Sequence, residues 1–256
     1  MTQMDAPYIL EDTEDYAVVF KPPRMHTADK SLKFYREPHE PTRAKEEETL
    51  FNWYCKFAAE TEYLQLLHRL DYETHGLVLF AKNEKSFNFF KDLQNKGDFV
   101  KEYSAVCSTS TDKPHSLNSS LLIPNSSFPP PPPLNSTPLP LREIESFFRP
   151  FGTGRKVVRP VIDDKKKHKE IAKDKGGFYK TEIISVNKNI FTVRIKRGFR
   201  HQIRCHLCWI GFPILNDPLY PEETETKDFL ALRSHALFFI DPSCGRKKEC
   251  RIESLS

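Results

Sequence analysis

The chain has 256 residues and a formal net charge of +4, with 38% hydrophobic and 29% charged residues. This length allows one large domain or two small ones with a substantial core, and the composition excludes a disordered or fibrous chain. No apolar run is long enough to cross a bilayer, and the N-terminus lacks the basic start and apolar core of a signal peptide. Because six cysteines are scattered along a chain of this size, we expect reduced thiols and a cytoplasmic protein.

The first third of the chain alternates short apolar strands with one amphipathic helix. The segment YAVVFKPP (16–23) predicts a buried strand that ends at its prolines. From Thr49 onward, apolar residues at helical spacing as far as Phe57 predict a helix. GLVLFAK (76–82) is continuously apolar, which is typical of a strand buried on both faces.

A second helix and another strand are predicted next. Asn83 is placed to cap this helix and Gly97 to end it. In the strand FVKEYSAVC (99–107), Lys101 and Tyr103 point to the same side because successive side chains alternate.

The middle of the chain differs from the rest in composition. Residues 116–140 contain five consecutive prolines and many serines, which predicts a surface insertion with polyproline II character. Residues 155–175 then carry nine Lys/Arg against four Asp/Glu. Positive charge this concentrated indicates a face for a polyanion such as nucleic acid, although a solvated lysine-rich loop explains 155–175 equally well.

The C-terminal part returns to regular patterns. Residues 179–198 predict a hairpin with its turn at 187–189, and HQIRCHLCWIG (201–211) predicts a helix. SHALFFIDP (234–242) predicts a last strand. Because the strands come in runs between a few helices, the fold class expected is α+β with a mixed, mainly antiparallel sheet.

Two groups of residues have the chemistry of metal ligands. His68, Asp71 and His75 would share one face of a helix, but the segment that holds them, HRLDYETHG (68–76), has the composition of a turn before a strand. The cysteines of the 201–211 helix lack the close second pair of a zinc module. We therefore predict no metal.

Asp71 is the most conspicuous ionisable residue, since it lies between two histidines where a buried strand begins. A carboxylate that loses water has to be paired, bound to a metal or used in chemistry. Tyr103 and Arg204 are further candidates on other elements. Each has an ordinary structural explanation by itself, and the residues alone do not bring the three together.

A set of motifs in a fixed order resembles the RluA-type pseudouridine synthases. The motifs are HRLD (68–71) followed by GLVLFAK, then VKEYSAV (100–106), RGFRHQIRCHLCWIGFPILNDPLY (197–220) and LALRSHALFF (230–239). The resemblance covers residues 16–107 and 178–242. It implies one catalytic domain over 1–256 with a bent sheet and a cleft across it, in which 116–140 and 141–175 are insertions. We expect no separate N-terminal RNA-binding domain of the kind that some relatives carry.

The resemblance also implies residue roles. Asp71 matches the family's catalytic aspartate, Tyr103 its active-site tyrosine and Arg204 the arginine that pairs with the aspartate. Arg69 matches an arginine that takes the place of a displaced base. The reaction implied is the isomerisation of a flipped-out uridine in rRNA or tRNA. Because this reaction moves no electrons, we expect no cofactor, and we take a monomer as the default oligomeric state. The residues expected to contact the RNA are His68, Arg69, Lys165, Lys166, Lys167, Arg200, His201, Gln202 and Ile203.

One departure from the family pattern leaves alternatives open. Family members usually carry an arginine and then threonine or serine before HQIR, where this chain has Phe199 and Arg200. A non-catalytic RNA-binding or RNA-folding module that keeps the fold is therefore the second hypothesis. A metal-dependent hydrolase using His68, Asp71 and His75 is the third.

Overall fold

The computed structural model describes residues 6–29, 48–58, 61–108, 142–151, 153–161, 178–220 and 228–255. The chain divides into two compact units. The first comprises Met1–Tyr103 with Arg233–Ser254, and the second comprises Ser104–Leu232 with Leu255–Ser256. Within the described ranges, no helix is long and apolar enough to cross a membrane.

The described residues contain strands and helices in an irregular order. The strands are β1 (Tyr8–Asp12), β2 (Tyr16–Lys21), β3 (Gln65–Leu66), β4 (His75–Ala81), β5 (Val100–Val106), β6 (Arg142–Phe151), β7 (Val157–Val161), β8 (Tyr179–Asn187), β9 (Ile190–Ile195), β10 (Leu232–Ile240) and β11 (Lys247–Arg251). The helices are α1 (Leu50–Cys55), α2 (Glu84–Lys96) and α3 (Gln202–Trp209), with a short 3₁₀ turn at Thr153–Arg155.

Strand β4 lies at the centre of the sheet in the first unit. The strand order there is β1-β2-β4-β10, with β3 also paired to β4 and β11 to β10. Every residue of β2 and β4 is buried. Phe90 and Leu93 of α2 pack on one face with Leu77 and Leu79, and Tyr54 of α1 packs on Phe80 with ring centroids 4.8 Å apart. The prediction of a strand buried on both faces is confirmed.

The parallel contact between β4 and β10 depends on Gly76. Gly76 is paired with Ser234, and its φ of +123° is one that side-chain-bearing residues rarely adopt. A Cβ atom at this position would lie 2.2 Å from the Ser234 carbonyl oxygen. Only glycine therefore allows the start of β4, just after the HRLD turn, to lie against β10.

Helices α1 and α2 are capped by side chains. Thr49 accepts a hydrogen bond from the Asn52 amide at 3.1 Å, and Asn83 accepts one from Ser86 at 2.8 Å. Gly97 ends α2 in the left-handed conformation, as the sequence predicted. Helix α1 is shorter than predicted, because it ends at Cys55 and leaves Phe57 59% exposed.

In the second unit, the described residues form an antiparallel sheet and helix α3. The strand order is β9-β8-β6-β7. The β8–β9 hairpin and its turn are confirmed. Residues 142–151 and 157–161, to which the sequence analysis assigned no regular structure, form strands β6 and β7. Residues 116–140 and 162–177 lie outside the described residues.

Helix α3 begins after His201, which has a left-handed φ of 56°. Its core side packs against β6 and β8 through a cluster that contains Phe148, Tyr179 and Cys205. With one parallel pair among otherwise antiparallel ones in the described strand pairings, the α+β class with a mixed, mainly antiparallel sheet is confirmed.

Candidate active site

Asp71 lies in the turn that connects β3 to β4. Its carbonyl oxygen accepts a hydrogen bond from the Thr74 amide at 3.1 Å, and the residue is half-buried. The segment from His68 to Thr74 is not helical. The i, i+3, i+7 face required by the metal-ligand pattern is therefore not formed.

A buried lysine that the sequence analysis overlooked lies beside this turn. Lys21 ends β2 and is paired with Gly76. Its ammonium donates hydrogen bonds to the carbonyl oxygens of Pro22 and Met25, each at 2.8 Å, and of Tyr72 at 3.2 Å. Burial lowers the pKa of Lys21 to about 7, while the negative charges of Asp71 and Glu73 act in the opposite direction. Lys21 thus both fixes the turn and places a positive charge near Asp71.

Tyr103 provides the aromatic ring of the candidate site in the first unit. It lies in β5 with 5% of its surface exposed and is hydrogen-bonded to the Ser234 side chain. Burial raises the pKa of Tyr103 well above its usual value, and the nearby charge of Asp71 raises it further. The phenol therefore stays protonated at neutral pH. Its hydrogen-bond partner Ser234 is paired with Gly76, which follows the turn that carries Asp71.

The third candidate, Arg204, is held by an acid in the second unit. Its Nε and Nη2 donate to the two carboxylate oxygens of Asp217 at 2.8 and 2.7 Å. Oδ1 of Asp217 also accepts from the amides of Leu219 at 2.9 Å and Tyr220 at 3.2 Å. The guanidinium carbon lies 5.4 Å from the centre of the Tyr220 ring. Bidentate pairing of this kind holds the guanidinium in one orientation and balances its positive charge.

Asp217 belongs to the DPLY sequence that supported the family resemblance, but the sequence analysis gave it no role. The available signal was an acidic residue in the turn after α3, which follows an arginine within that helix. Their spacing in the sequence does not predict an ion pair, because an arginine and an aspartate at these positions could each also be exposed to solvent. The pairing of Arg204 with Asp71 stays a prediction.

The residues expected to contact RNA occupy different surroundings. Arg69 is exposed, and its Nη2 donates to the Ala28 carbonyl oxygen at 3.1 Å. Arg200 is exposed too, and its Nη2 donates to the carbonyl oxygens of Arg155 at 2.7 Å and Val157 at 3.4 Å. Arg200 thereby anchors the turn between β6 and β7. Lys165, Lys166 and Lys167 lie outside the described residues.

Two of the predicted RNA contacts are in the interior instead. The Gln202 side chain donates to the Lys180 carbonyl oxygen at 2.8 Å and accepts from the Phe199 amide at 2.9 Å. Gln202 and Ile203 are 2% and 4% exposed. The Gln202 contacts secure the first turn of α3, and both side chains are buried, so contact of Gln202 and Ile203 with RNA stays a prediction that these surroundings do not support. His201 is half-buried, with its ring near the Tyr220 hydroxyl at 3.3 Å.

Phe199, the departure from the family pattern, has a packing role. Its ring stacks on Phe148 with centroids 5.1 Å apart and 9° between the planes, and it lies 5.0 Å from the Tyr179 ring. Arg197 covers the same Tyr179 ring at 4.4 Å. The aromatic residue at 199 therefore belongs to the packing between α3, β6 and β8.

Comparisons with known proteins identify the class of protein to which this fold and these residues belong. The RNA pseudouridylate synthase family matches residues 15–209. The chain belongs to this family, whose members are isomerases that act on RNA.

Individual relatives agree with this assignment. A Helicobacter pylori protein described as an RNA pseudouridine synthase is 24% identical over 243 residues, which are 93% of this chain and 73% of the relative. The ribosomal large subunit pseudouridine synthase C of Buchnera aphidicola from Acyrthosiphon pisum is 24% identical over 77% of this chain and 55% of its own length. The structure of human RNA pseudouridylate synthase domain containing 4 matches with a TM-score of 0.58 and 16% identity over 96% of this chain and 88% of that one, which shows the same fold.

Proposed function

We propose that this protein isomerises specific uridines in rRNA or tRNA to pseudouridine, with Asp71 as the nucleophile. The observation that carries the proposal is the grouping of a carboxylate, a buried amine and a neutral phenol around one turn of the first unit. Lys21 donates to the Tyr72 carbonyl oxygen, next to Asp71, and Tyr103 bonds to Ser234, which is paired with Gly76 after that turn. An anion in a largely dry site requires nearby positive charge to remain ionised.

In the proposed reaction, the Asp71 carboxylate attacks C1′ of the ribose and the N1–C1′ bond breaks. The detached uracil turns, its C5 forms a bond with C1′, and the carboxylate leaves. C5 loses a proton and N1 gains one, so that the product has the composition of the substrate. Carboxylates act in the same way on the sugar carbon in retaining glycosidases.

Tyr103 is suited to hold the uracil while it is detached. Because its pKa is raised, the ring is a neutral aromatic surface and hydrogen-bond donor rather than a phenolate base at pH 7. Aromatic side chains stack on unpaired bases in many RNA complexes. We assign Tyr103 to this position.

The family resemblance assigns Arg204 to the carboxylate of Asp71. A guanidinium has five N–H donors, and the bonds to Asp217 use Nε and Nη2. We propose that Asp217 orients Arg204 for this task. Lysine would replace it poorly, because it lacks the planar fork that binds two carboxylates.

The target nucleotide has to leave its stack before C1′ is accessible, at a cost of about a few kcal/mol. We propose that exposed Arg69, two residues before Asp71, fills the vacated position. The name of the Buchnera relative refers to the large ribosomal subunit, so rRNA is the first substrate class to test. We propose a cytoplasmic monomer that needs no protein partner, and Lys165, Lys166 and Lys167 as contacts to flanking phosphates.

Release of tritium from C5-labelled uridine tests the proposal directly. The substrate is labelled rRNA or tRNA from cells that lack the protein, so that target sites are unmodified. We expect release by the wild type and none by Asp71→Asn, with RNA affinity changed little. Glu73→Gln is the matched control, since it neutralises another carboxylate of the same turn that also acts on Lys21. Full tritium release by Asp71→Asn would show that Asp71 is not the nucleophile.

The alternative of a non-catalytic module depended on Phe199. Its stacking on Phe148 explains the residue by packing, and no observation now favours that alternative over the isomerase.

A further inference from the structure

A second group of positively charged and hydrogen-bond-donating side chains surrounds Phe99 in the first unit. Lys101, in β5, is only 4% exposed, and its ammonium nitrogen lies 5.9 Å from the centre of the Phe99 ring. The ring of His68 lies 5.7 Å from the same ring. Lys91 of α2 adds a further positive charge that acts on both Lys101 and His68.

The Lys101 side chain is buried, but its ammonium has no hydrogen-bond or ion-pair partner among the described residues. The nitrogen lies 5.9 Å from the centre of the Phe99 ring, and the positive charge of Lys91 repels it. The nitrogen itself remains accessible, since it is not among the fully buried polar atoms that lack a partner in the described ranges. Burial and this repulsion lower the pKa of Lys101 to about 8. Lysine is almost never buried without a partner, because the desolvated charge costs several kcal/mol.

His68 has an unsatisfied donor in the same place. Its Nε2 accepts a hydrogen bond from the Leu79 amide at 3.4 Å, so in the neutral ring Nδ1 carries the proton. Nδ1 is buried and meets no hydrogen-bond acceptor in the described part of the chain. Burial lowers the pKa of His68 well below its usual value, with Lys101 and Lys91 contributing, so the neutral form is the relevant one.

We infer that Lys101, His68 and Lys91 form a binding site for one phosphodiester group of the RNA strand that carries the target uridine. An anionic oxygen would accept from both the Lys101 ammonium and the Nδ1–H of His68. Lysine serves as a point charge for phosphate in many proteins. This inference rests on the proposed function for the identity of the ligand but not for the existence of an anion site.

The position of the site fits a phosphate that neighbours the reacting nucleotide. Lys101 and Tyr103 lie on the same side of β5, two residues or about 7 Å apart. His68 precedes Asp71 by three residues on the other segment. The two segments that present Asp71 and Tyr103 therefore also present this site.

Titration with dimethyl phosphate tests the anion site without any reaction. In protein carrying ¹³C-labelled lysine, we expect the Lys101 resonance to titrate near pH 8 and its pKa to rise when dimethyl phosphate is added. The Lys101→Met variant should lose that resonance and the response of His68 to the ligand. Unchanged resonances of Lys101 and His68 at saturating dimethyl phosphate would overturn the inference.

RNA binding provides the second measurement. We expect Lys101→Met to bind the target RNA about 10- to 100-fold more weakly, the effect of losing one charged hydrogen bond. The slope of log affinity against log salt should fall by about 0.7 to 0.9, which corresponds to one phosphate. Lys101→Arg should retain most of the affinity, and Lys85→Met, which removes an exposed charge from α2, should change neither quantity.

The outcomes separate the inference from the proposed function. If dimethyl phosphate binds at Lys101 but the wild type releases no tritium, the anion site stands and the proposed reaction fails. If the wild type releases tritium and Lys101→Met keeps wild-type affinity and salt slope, the reaction stands and the phosphate site is wrong.

Discussion

Arg204 and Asp217 form a bidentate ion pair in the interior of the second unit, where their side chains are 2% and 0% exposed. The two parallel hydrogen bonds, of 2.8 and 2.7 Å, leave the guanidinium one orientation. The arginine of the HQIR motif therefore owes its direction to an acid of the DPLY motif.

Asp217→Asn should impair both folding and catalysis. Breaking a buried ion pair from one side costs about 3–5 kcal/mol, because the remaining charge is uncompensated. We expect a lower midpoint of urea unfolding and a larger loss of tritium release than of RNA affinity in the folded fraction. The matched control is Glu143→Gln, whose carboxylate pairs with Lys180 at the surface at 2.9 Å and whose loss should leave the midpoint unchanged. A wild-type midpoint for Asp217→Asn would contradict the structural role.

Gly76→Ala should prevent β4 from pairing with β10. The added Cβ would meet the Ser234 carbonyl oxygen at 2.2 Å, a backbone contact that no side-chain rotation relieves. We expect a protein that is mostly insoluble or unfolded by circular dichroism. Gly245→Ala is the control, since Gly245 also has positive φ but nothing lies within 4 Å of its Cβ position. In that variant the free energy of unfolding should fall by only about 1–2 kcal/mol, because of backbone strain. Equal decreases in the two variants would exclude the steric explanation.

His75 should make the protein less stable in acid. Burial, with the charges of Arg233 and Lys21, lowers the pKa of His75 to about 3 from its usual 6.5. Between these values the unfolded chain binds more protons than the folded one, so the free energy of unfolding falls as the pH decreases from 6.5 towards 3.

His75→Leu tests this linkage. Both ring nitrogens are buried without a hydrogen-bond partner among the described residues, so an apolar side chain of similar size should be tolerated. We expect near wild-type stability at pH 8 and a smaller loss than the wild type on going to pH 5, measured by urea unfolding. Parallel pH profiles for the two proteins would show that His75 does not titrate as described.

Phe199→Ala should loosen the packing between α3 and β6. The ring is half-buried and stacks on Phe148 at 5.1 Å. We expect the free energy of unfolding to fall by about 1–3 kcal/mol, less than the 3–5 kcal/mol typical of replacing a fully buried phenylalanine. Phe57→Ala removes a ring that is 59% exposed and should change the unfolding free energy much less. Equal effects would show that the stack contributes nothing beyond surface burial.

Local patterns in the sequence predicted many elements correctly. The continuous apolar run of β4 and the Asn83 and Gly97 signals around α2 all correspond to observed features, because burial and capping depend on residues close together in the chain. The predicted length of α1 was wrong, because the amides of Lys56 and Phe57 bond three residues back and the helix ends at Cys55, which the spacing of apolar residues does not reveal. Strands β6 and β7 were missed because Pro150 and Pro160 argue against strands in isolation.

For the site, the sequence by itself determined the motifs, their order and hence the family, together with the candidates Asp71, Tyr103 and Arg204. Only the tertiary structure decided which charges meet: Lys21 with the Asp71 turn, and Asp217 with Arg204. The physical reason is that residue type and spacing describe what a side chain can do within its own element. An ion pair between residues of different elements exists only after folding has removed water from both and brought them within bonding distance.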